Sequence, residues 1–410
     1  MLTLRFLVAF LTSLLILYGT DEASGETFAY TPRSDGKITT YRVTASGAFE
    51  PVRADPIPPG NRPLALVLSA DKRFLYAYPE FDRGKDGHNT EEIGDEKRIK
   101  VVASKPTPIT VFSIGEGGVL RRLSILAVPA PLGQLVPHPG GRFVYGLTAT
   151  RGAFILRVAR NGTLTLAGGT PVESGMGLGD IPGERDAWGL TFSPNGDYLY
   201  AFRGDGFVDH AENYLRRYKV NRASGRLMPD GKPWDSRSEK TVSVALDPGM
   251  VRFFVSNTAF VKGFAGGIWV CRGDGTGRIL SQGSRLTLVP KGQAAYGNDQ
   301  LLMRHPKLPF VVYRGSETDP YSLWRVTAPG KVSKIAAFAS AFPERSPVAI
   351  YTDPSGRFLY EIQVLYPARQ ARVAVFAWDK TGTRIALAMP PQTIPNADST
   401  DFVFVAPPVK

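Results

Sequence analysis

The chain has 410 residues, 43% of them hydrophobic, a formal net charge of +12 and one cysteine. That is ample material for a large core, and the lone Cys271 rules out an intramolecular disulfide; in the strand GGIWVCR it reads as a small apolar core residue. The basic residues are scattered, with no Lys/Arg block and no aromatic-basic signature, so nucleic acid is excluded as a partner while anionic small molecules stay open.

Residues 1–18, MLTLRFLVAFLTSLLILY, place one Arg before an apolar run from Phe6 to Tyr18. The run falls short of the about 20 residues that span a bilayer and fits the core of a secretory signal. Residues 1–25 are therefore expected to direct export, with cleavage at Ala23-Ser24-Gly25 or after Gly19. The expected product is periplasmic or extracellular and not integral to the membrane.

From residue 26 onward helical periodicity is almost absent, and the abundant Gly and Pro fall between short alternating strands. One phrase returns six times: LALVLSADKRFLYAY (64–78), QLVPHPGGRFVYGLT (134–148), GLTFSPNGDYLYAF (189–202), SVALDPGMVRFFVSN (243–257), QLLMRHPKLPFVVYR (300–314) and VAIYTDPSGRFLYEI (348–362). Each is a strand, a polar turn and a second strand, and each is followed by another strand–turn–strand pair such as AFILRVARNGTLTLAGG (153–169). One repeat is thus four antiparallel strands, a to d, which is the unit of a propeller blade. Residues 26–52 supply strands b, c and d without an a strand, and STDFVFVA (399–406) supplies an a strand with nothing after it. The sequence therefore predicts an all-β, seven-bladed propeller over 26–410, closed by the C-terminal strand joining the N-terminal blade. The blades are expected at 64–126, 134–169, 187–231, 241–284, 299–338 and 347–389, with 397–408 joining 26–52.

The phrase small-Pro-x-Gly-x-aromatic-Leu-Tyr, as in SPNGDYLYAF and DPSGRFLYEI, resembles the lactonase-like propellers with YVTN-type repeats. That family includes bacterial 6-phosphogluconolactonase and carboxymuconate-cyclising enzymes. The resemblance covers nearly all of 26–406 and implies a carboxylic ester hydrolase acting on a lactone or sugar acid. It rests on the structural repeat, so no catalytic residue is carried over from it.

Blade topology sorts the loops. The a–b turns (SADK, HPGG, SPNG, DPGM, HPKL, DPSG) and the c–d turns are short. Nearly all extra length lies in b–c loops (80–108, 203–213, 258–266, 315–321, 364–371) and d–a loops (170–187, 289–299), which share one face. Long loops gathered on one side of a rigid scaffold usually carry function. His138 and His305 stand in a–b turns where other copies hold Ser193, Asp247 or Asp353, so their expected role is to bond a turn amide. His88 and His210 stand in the long loops. The polar loop 81–100 echoes a calcium loop at Asp82, Asp86 and Gly87 but has Ile93 where the bidentate Glu belongs, so no metal is expected; a flap or solvated loop is.

Positions just before a strands and just after b strands should ring the channel on the long-loop face. For lactone hydrolysis, Glu80, Asp186, Asp205 and Glu317 are candidate bases for water, and Arg203, Arg151 or Arg314 is the candidate partner of the oxyanion. Arg62, Gln134, Arg151, Trp188, His210, Asn257, Asn298, Asp299, Arg314 and Gln363 are candidate ligand contacts for a small polar or anionic molecule. No nucleophile elbow, zinc signature or nucleotide loop is present, and no cofactor is expected. Two readings stay open: a lactone hydrolase, and a non-catalytic module that binds a protein or polysaccharide through the long-loop face.

Overall fold

The structure, a computed structural model, describes residues 26–33, 35–57, 65–79, 90–93, 96–99, 106–130, 132–148, 152–170, 189–202, 214–232, 234–235, 240–246, 252–258, 267–287, 301–308, 310–314, 320–327, 331–342, 349–365, 370–397 and 402–406. The segment read as an export signal lies outside them. Among the described residues no helix is long and apolar enough to cross a membrane.

The chain forms consecutive antiparallel sheets in which neighbours in sequence are neighbours in the ladder. Blade 1 holds Ala65–Leu68, Phe74–Tyr78, Thr107–Ile114 and Leu120–Val128 as its strands a to d. Blade 2 runs from Leu132–Pro137 to Leu164–Thr170, blade 4 from Lys240–Leu246 to Ile279–Thr287, and blade 5 from Leu301–Arg304 to Lys331–Phe338. Blade 6 runs from Ala349–Thr352 to Ile385–Pro395. In the closing blade, Val403–Val405 lies beside Thr27–Pro32, with Phe28 opposite Val405 and Tyr30 opposite Val403. Joining the two chain ends in one sheet leaves no open innermost edge there.

The expectation of seven four-stranded blades needs correction: six sheets have four strands. Blade 3, from Gly189–Phe192 onward, has five, because its d strand is only Leu227–Pro229 and pairs only with Tyr218, Lys219 and Val220 of strand c. The chain breaks at Asp230-Gly231, where Gly231 has φ 77, and Trp234–Asp235 then pairs with Leu215 and Tyr214. In blade 1 the long b–c insertion carries a further two-stranded ribbon, Thr90–Ile93 against Glu96–Ile99.

The core lies in the seams between blades, which is why the b strands are apolar on both faces. Phe143 and Tyr145 of blade 2 pack with Leu190, Phe192 and Leu199 of blade 3, while the intervening Val144 packs with blade 1. Two devices repeat from seam to seam. First, in several blades a glycine of the c–d turn rests on an aromatic residue of the preceding blade's b strand. A Cβ on Gly118 would lie 2.6 Å from the Phe28 ring, and one on Gly225 3.0 Å from Phe143; Gly162 meets Phe74 still more closely. All three have positive φ, so turn geometry and proximity demand the same residue. Second, at three seams the b-strand tyrosine donates to that turn: Tyr30 Oη to Gly118 O at 2.9 Å, Tyr145 to Gly225 O and Tyr200 to Gly277 O. Burial raises these phenols above their ordinary value, so they remain protonated donors.

The two turn histidines do what their positions predict and something more. His138 Nδ1 accepts from Gly140 N at 2.9 Å, and His305 Nδ1 accepts from Lys307 N at 3.1 Å and Leu308 N at 2.9 Å. This leaves the proton on Nε2, which faces a carbonyl of the next blade: Gly196 O at 2.9 Å for His138 and Gly356 O at 2.8 Å for His305. Each ring thus ties its own turn to the neighbouring one. His138 also meets Phe192 edge-on, 5.2 Å between centroids.

Burial lowers the pKa of His138; Gly196 O and Asp197 oppose that shift and Arg222 adds to it. A depressed histidine pKa means that folding favours the neutral ring. Its stabilisation is complete above the unfolded value of about 6.5 and is lost as pH falls through the folded value. Wild type is expected to lose more stability between pH 7.5 and 5 than a His138→Ser variant, which carries the residue of turns 69 and 193. At pH 7.5 the variant should be less stable by about 1–2 kcal/mol. Parallel denaturant midpoints across that pH range provide the check; identical pH profiles would remove His138 as the titrating tie.

Candidate functional site at the long-loop face

Eleven of the residues singled out from the sequence, Arg62, Glu80, Arg151, Asp186, Trp188, Arg203, Asp205, His210, Asn298, Asp299 and Glu317, lie outside the described residues. Asn257 and Arg314 end or nearly end b strands, opposite Thr241 and Leu301 respectively, at the expected face. Gln134 and Gln363 are described in full.

Gln134 sits where the first strand of blade 2 slips register, with Gly133 as the extra residue. Its Oε1 accepts from Leu190 N at 2.8 Å, so its amide links the innermost strands of blades 2 and 3. That is a structural tie at the channel wall, and it uses the acceptor end of the side chain. Gln363, near the end of the b strand Phe358–Leu365 of blade 6, is 2% exposed, and among the described residues its Nε2 has no hydrogen-bond partner. A buried amide donor left unpaired costs about 1–3 kcal/mol.

Beside Gln363 stands a group that sequence reasoning missed. Glu361 is fully buried, two residues earlier on the same strand and so on the same side of the sheet. It lies opposite Ile350 of strand a and Ala374 of strand c, facing the seam with blade 5. Its Oε1 accepts from Tyr321 Oη at 3.1 Å and from Ser340 Oγ, and its Oε2 accepts from Ala341 N at 2.8 Å. Tyr321 begins strand c of blade 5, and Ser340–Phe342 follow strand d, so all three donors belong to the b–c/d–a face. Ser340 Oγ in turn accepts from Phe342 N at 3.0 Å, and Arg372, opposite Gln363, lies 4.6 Å over the Phe342 ring. Below this polar assembly the seam is apolar, with Leu323, Leu359, Ala374 and Phe376.

The signal for Glu361 was present in the repeat. At the matching position after aromatic-x-Tyr, sister strands carry Ala77, Gly146 and Ala201. An acid where three copies have a small residue marks a place where something other than packing is being satisfied. The carboxylate, with three donors, holds the Ser340–Phe342 connection against strand b, so it is a positioning group for the rim. The unpaired amide of Gln363 and the guanidinium of Arg372 are the neighbouring groups that can donate to a ligand oxygen.

A second buried acid at this face is Asp55, at the outer end of the closing blade. Burial raises its pKa against the opposing pull of Arg53, 2.5 Å away. It belongs to the outermost strand, on the far side of the blade from the channel. Among the described residues no group of three or more His, Cys, Asp or Glu is arranged to hold a metal ion.

No family model matches the sequence, and no curated protein matches it. Solved structures do match along most of its length. The periplasmic gluconolactonase of Pseudomonas aeruginosa superposes with a TM-score of 0.65 at 17% identity, covering 93% of this chain and 100% of that one. A protein from Bacteroides uniformis proposed as a 6-phosphogluconolactonase gives a TM-score of 0.66 at 14% identity, covering 93% and 100%. A Lactobacillus plantarum protein gives 0.64 at 15%, covering 93% and 99%. The class is an all-β propeller of four-stranded antiparallel blades. Within that class, the fold is the one shared by the lactonase-like propellers.

Proposed function

We propose that the protein is an exported lactone hydrolase whose reaction takes place at the centre of the long-loop face. The observation that carries this reading is the match, over nearly the whole chain, to a fold held by a periplasmic gluconolactonase. By their place in the repeat the candidate acids and arginines are expected on one face, and the Glu361 assembly supports the reading by giving that face a fixed rim between blades 5 and 6.

In the proposed reaction a carboxylate from Glu80, Asp186, Asp205 or Glu317 takes a proton from water as its oxygen adds to the lactone carbonyl. Arg203, with Arg151 or Arg314 beside it, faces the oxygen that becomes negative. The ring C–O bond then breaks, the alkoxide takes back the proton, and the open hydroxy acid leaves as its carboxylate. Arg62, Gln134, Trp188, His210, Asn257, Asn298, Asp299 and Gln363 complete the lining for a polar, hydroxylated substrate. Residues 1–25 would be removed on export, placing the enzyme outside the cytoplasm.

The test is a panel of sugar and aliphatic lactones followed by pH-stat. Turnover is expected, with kcat reduced about 100- to 1,000-fold in Arg203→Ala, as for loss of an oxyanion partner. Absence of turnover across the panel would overturn the reading and direct attention to protein or polysaccharide partners on the same face.

A further inference from the structure

We propose that the opposite, a–b face carries a separate site for a small apolar carboxylate, with Lys72 as its charge partner. A cavity of about 410 Å³ opens there, between the innermost strands of blades 1 and 6 and the closing strand. That volume lies within the range of small-molecule sites. Its wall is apolar and aromatic, with Leu66, Leu68, Tyr351, Phe402 and Phe404, which suits a hydrocarbon body and disfavours a sugar acid. Asp353 also borders it, but both its oxygens are engaged within its own turn, by Phe358 N at 2.9 Å and by Ser355 N at 3.1 Å. Asp71, next to Lys72, is held by Ser69 Oγ and Arg73. The lysine is exposed at the rim, and among the described residues no ion pair occupies its ammonium.

Lys72 is also out of place in the repeat. It has φ 58, at the turn position where Gly141, Gly196 and Gly356 have φ 70, 75 and 71. A lysine there accepts backbone strain that three sister turns avoid. Side chains are excluded at two of those positions: a Cβ on Gly196 would lie 2.6 Å from His138, and one on Gly356 2.6 Å from His305, each from the preceding blade's turn. Blade 1 follows the closing blade, whose a and b strands come from opposite chain ends, so no such turn overlies position 72. A strained cation beside an apolar cavity, in a turn that elsewhere uses glycine, has the arrangement of a ligand contact. An ammonium at an apolar wall pairs with a carboxylate and discriminates against its neutral analogue, because desolvation strengthens the pair.

The test is calorimetric titration of the full-length protein with 3-phenylpropionate, its neutral amide, and gluconate. The expected result is saturable one-to-one binding of 3-phenylpropionate, with the amide at least tenfold weaker and gluconate not bound. Lys72→Gly, which installs the sister-turn residue, should keep or raise thermal stability while abolishing the acid-over-amide preference. Three results would each overturn the proposal: no saturable binding, equal affinity for acid and amide, or unchanged preference in Lys72→Gly. None of these depends on whether the protein hydrolyses lactones.

Discussion

Replacing Glu361 with alanine is expected to lower stability by about 3–5 kcal/mol, because it strands buried donors rather than one surface contact. Tyr321 Oη, Ser340 Oγ and Ala341 N all donate to this carboxylate, with Tyr321 and Glu361 fully buried and Ser340 and Ala341 half-buried. Alanine would leave the three facing a void. Glutamine keeps the shape and one acceptor oxygen, but points an amide N–H₂ toward groups that already donate, so Glu361→Gln should cost roughly half as much. Because the donors hold the Ser340–Phe342 connection, loss should also loosen the rim. Urea midpoints of the two variants read the stability; protection of the Ala341 amide from hydrogen exchange reads the rim. A cost under about 1 kcal/mol for Glu361→Ala would show that water replaces the carboxylate, and the assembly would lose its positioning role.

Gly162→Ala should cost about 3 kcal/mol, combining backbone strain with overpacking. Gly162 has φ 83, and an added Cβ would press into the Phe74 ring of the preceding blade. Gly117 and Gly275 separate the two effects, since both have positive φ (65 and 81) but no described residue within 4 Å of an added Cβ. Gly117→Ala and Gly275→Ala should therefore cost only about 1 kcal/mol each. Phe74→Leu in the Gly162→Ala background should recover part of the packing cost, and the double-mutant cycle measures the coupling. Equal losses at positions 117, 162 and 275 would mean that φ alone sets the demand for glycine, not the seam.

How much of this was legible beforehand differs by residue. The six strand–turn–strand phrases with their polar turns show the blade unit, because strand alternation and turn chemistry are local properties. The missing a strand at one end and the surplus one at the other identify the closure, and Val403–Val405 pairs with Thr27–Pro32 accordingly. The turn role of His138 was readable from its alignment with Ser193; its bond to Gly196 O was not, since that requires the angle between two blades. Blade 3 departs from four strands because Asp230-Gly231 ends its d strand early, a defect visible only once the free edge at Tyr214–Leu215 is seen. Within FLYEIQV nothing local tells a buried acid from an edge one, so Glu361 stands out only against Ala77, Gly146 and Ala201 of the sister strands.

By itself, then, the sequence determined the architecture: an all-β ring of antiparallel blades, its closure, and the division between a face of short turns and a face of long loops. Those features follow from near-neighbour periodicity and from turn residues that act within a few positions. Only the tertiary structure decided which polar groups meet. Tyr321, Ser340 and Glu361 come from two blades, and Lys72 borders the same cavity as Phe404 from the far end of the chain. Contacts between blades depend on how each sheet is rotated against the next, and no spacing along the chain encodes that rotation.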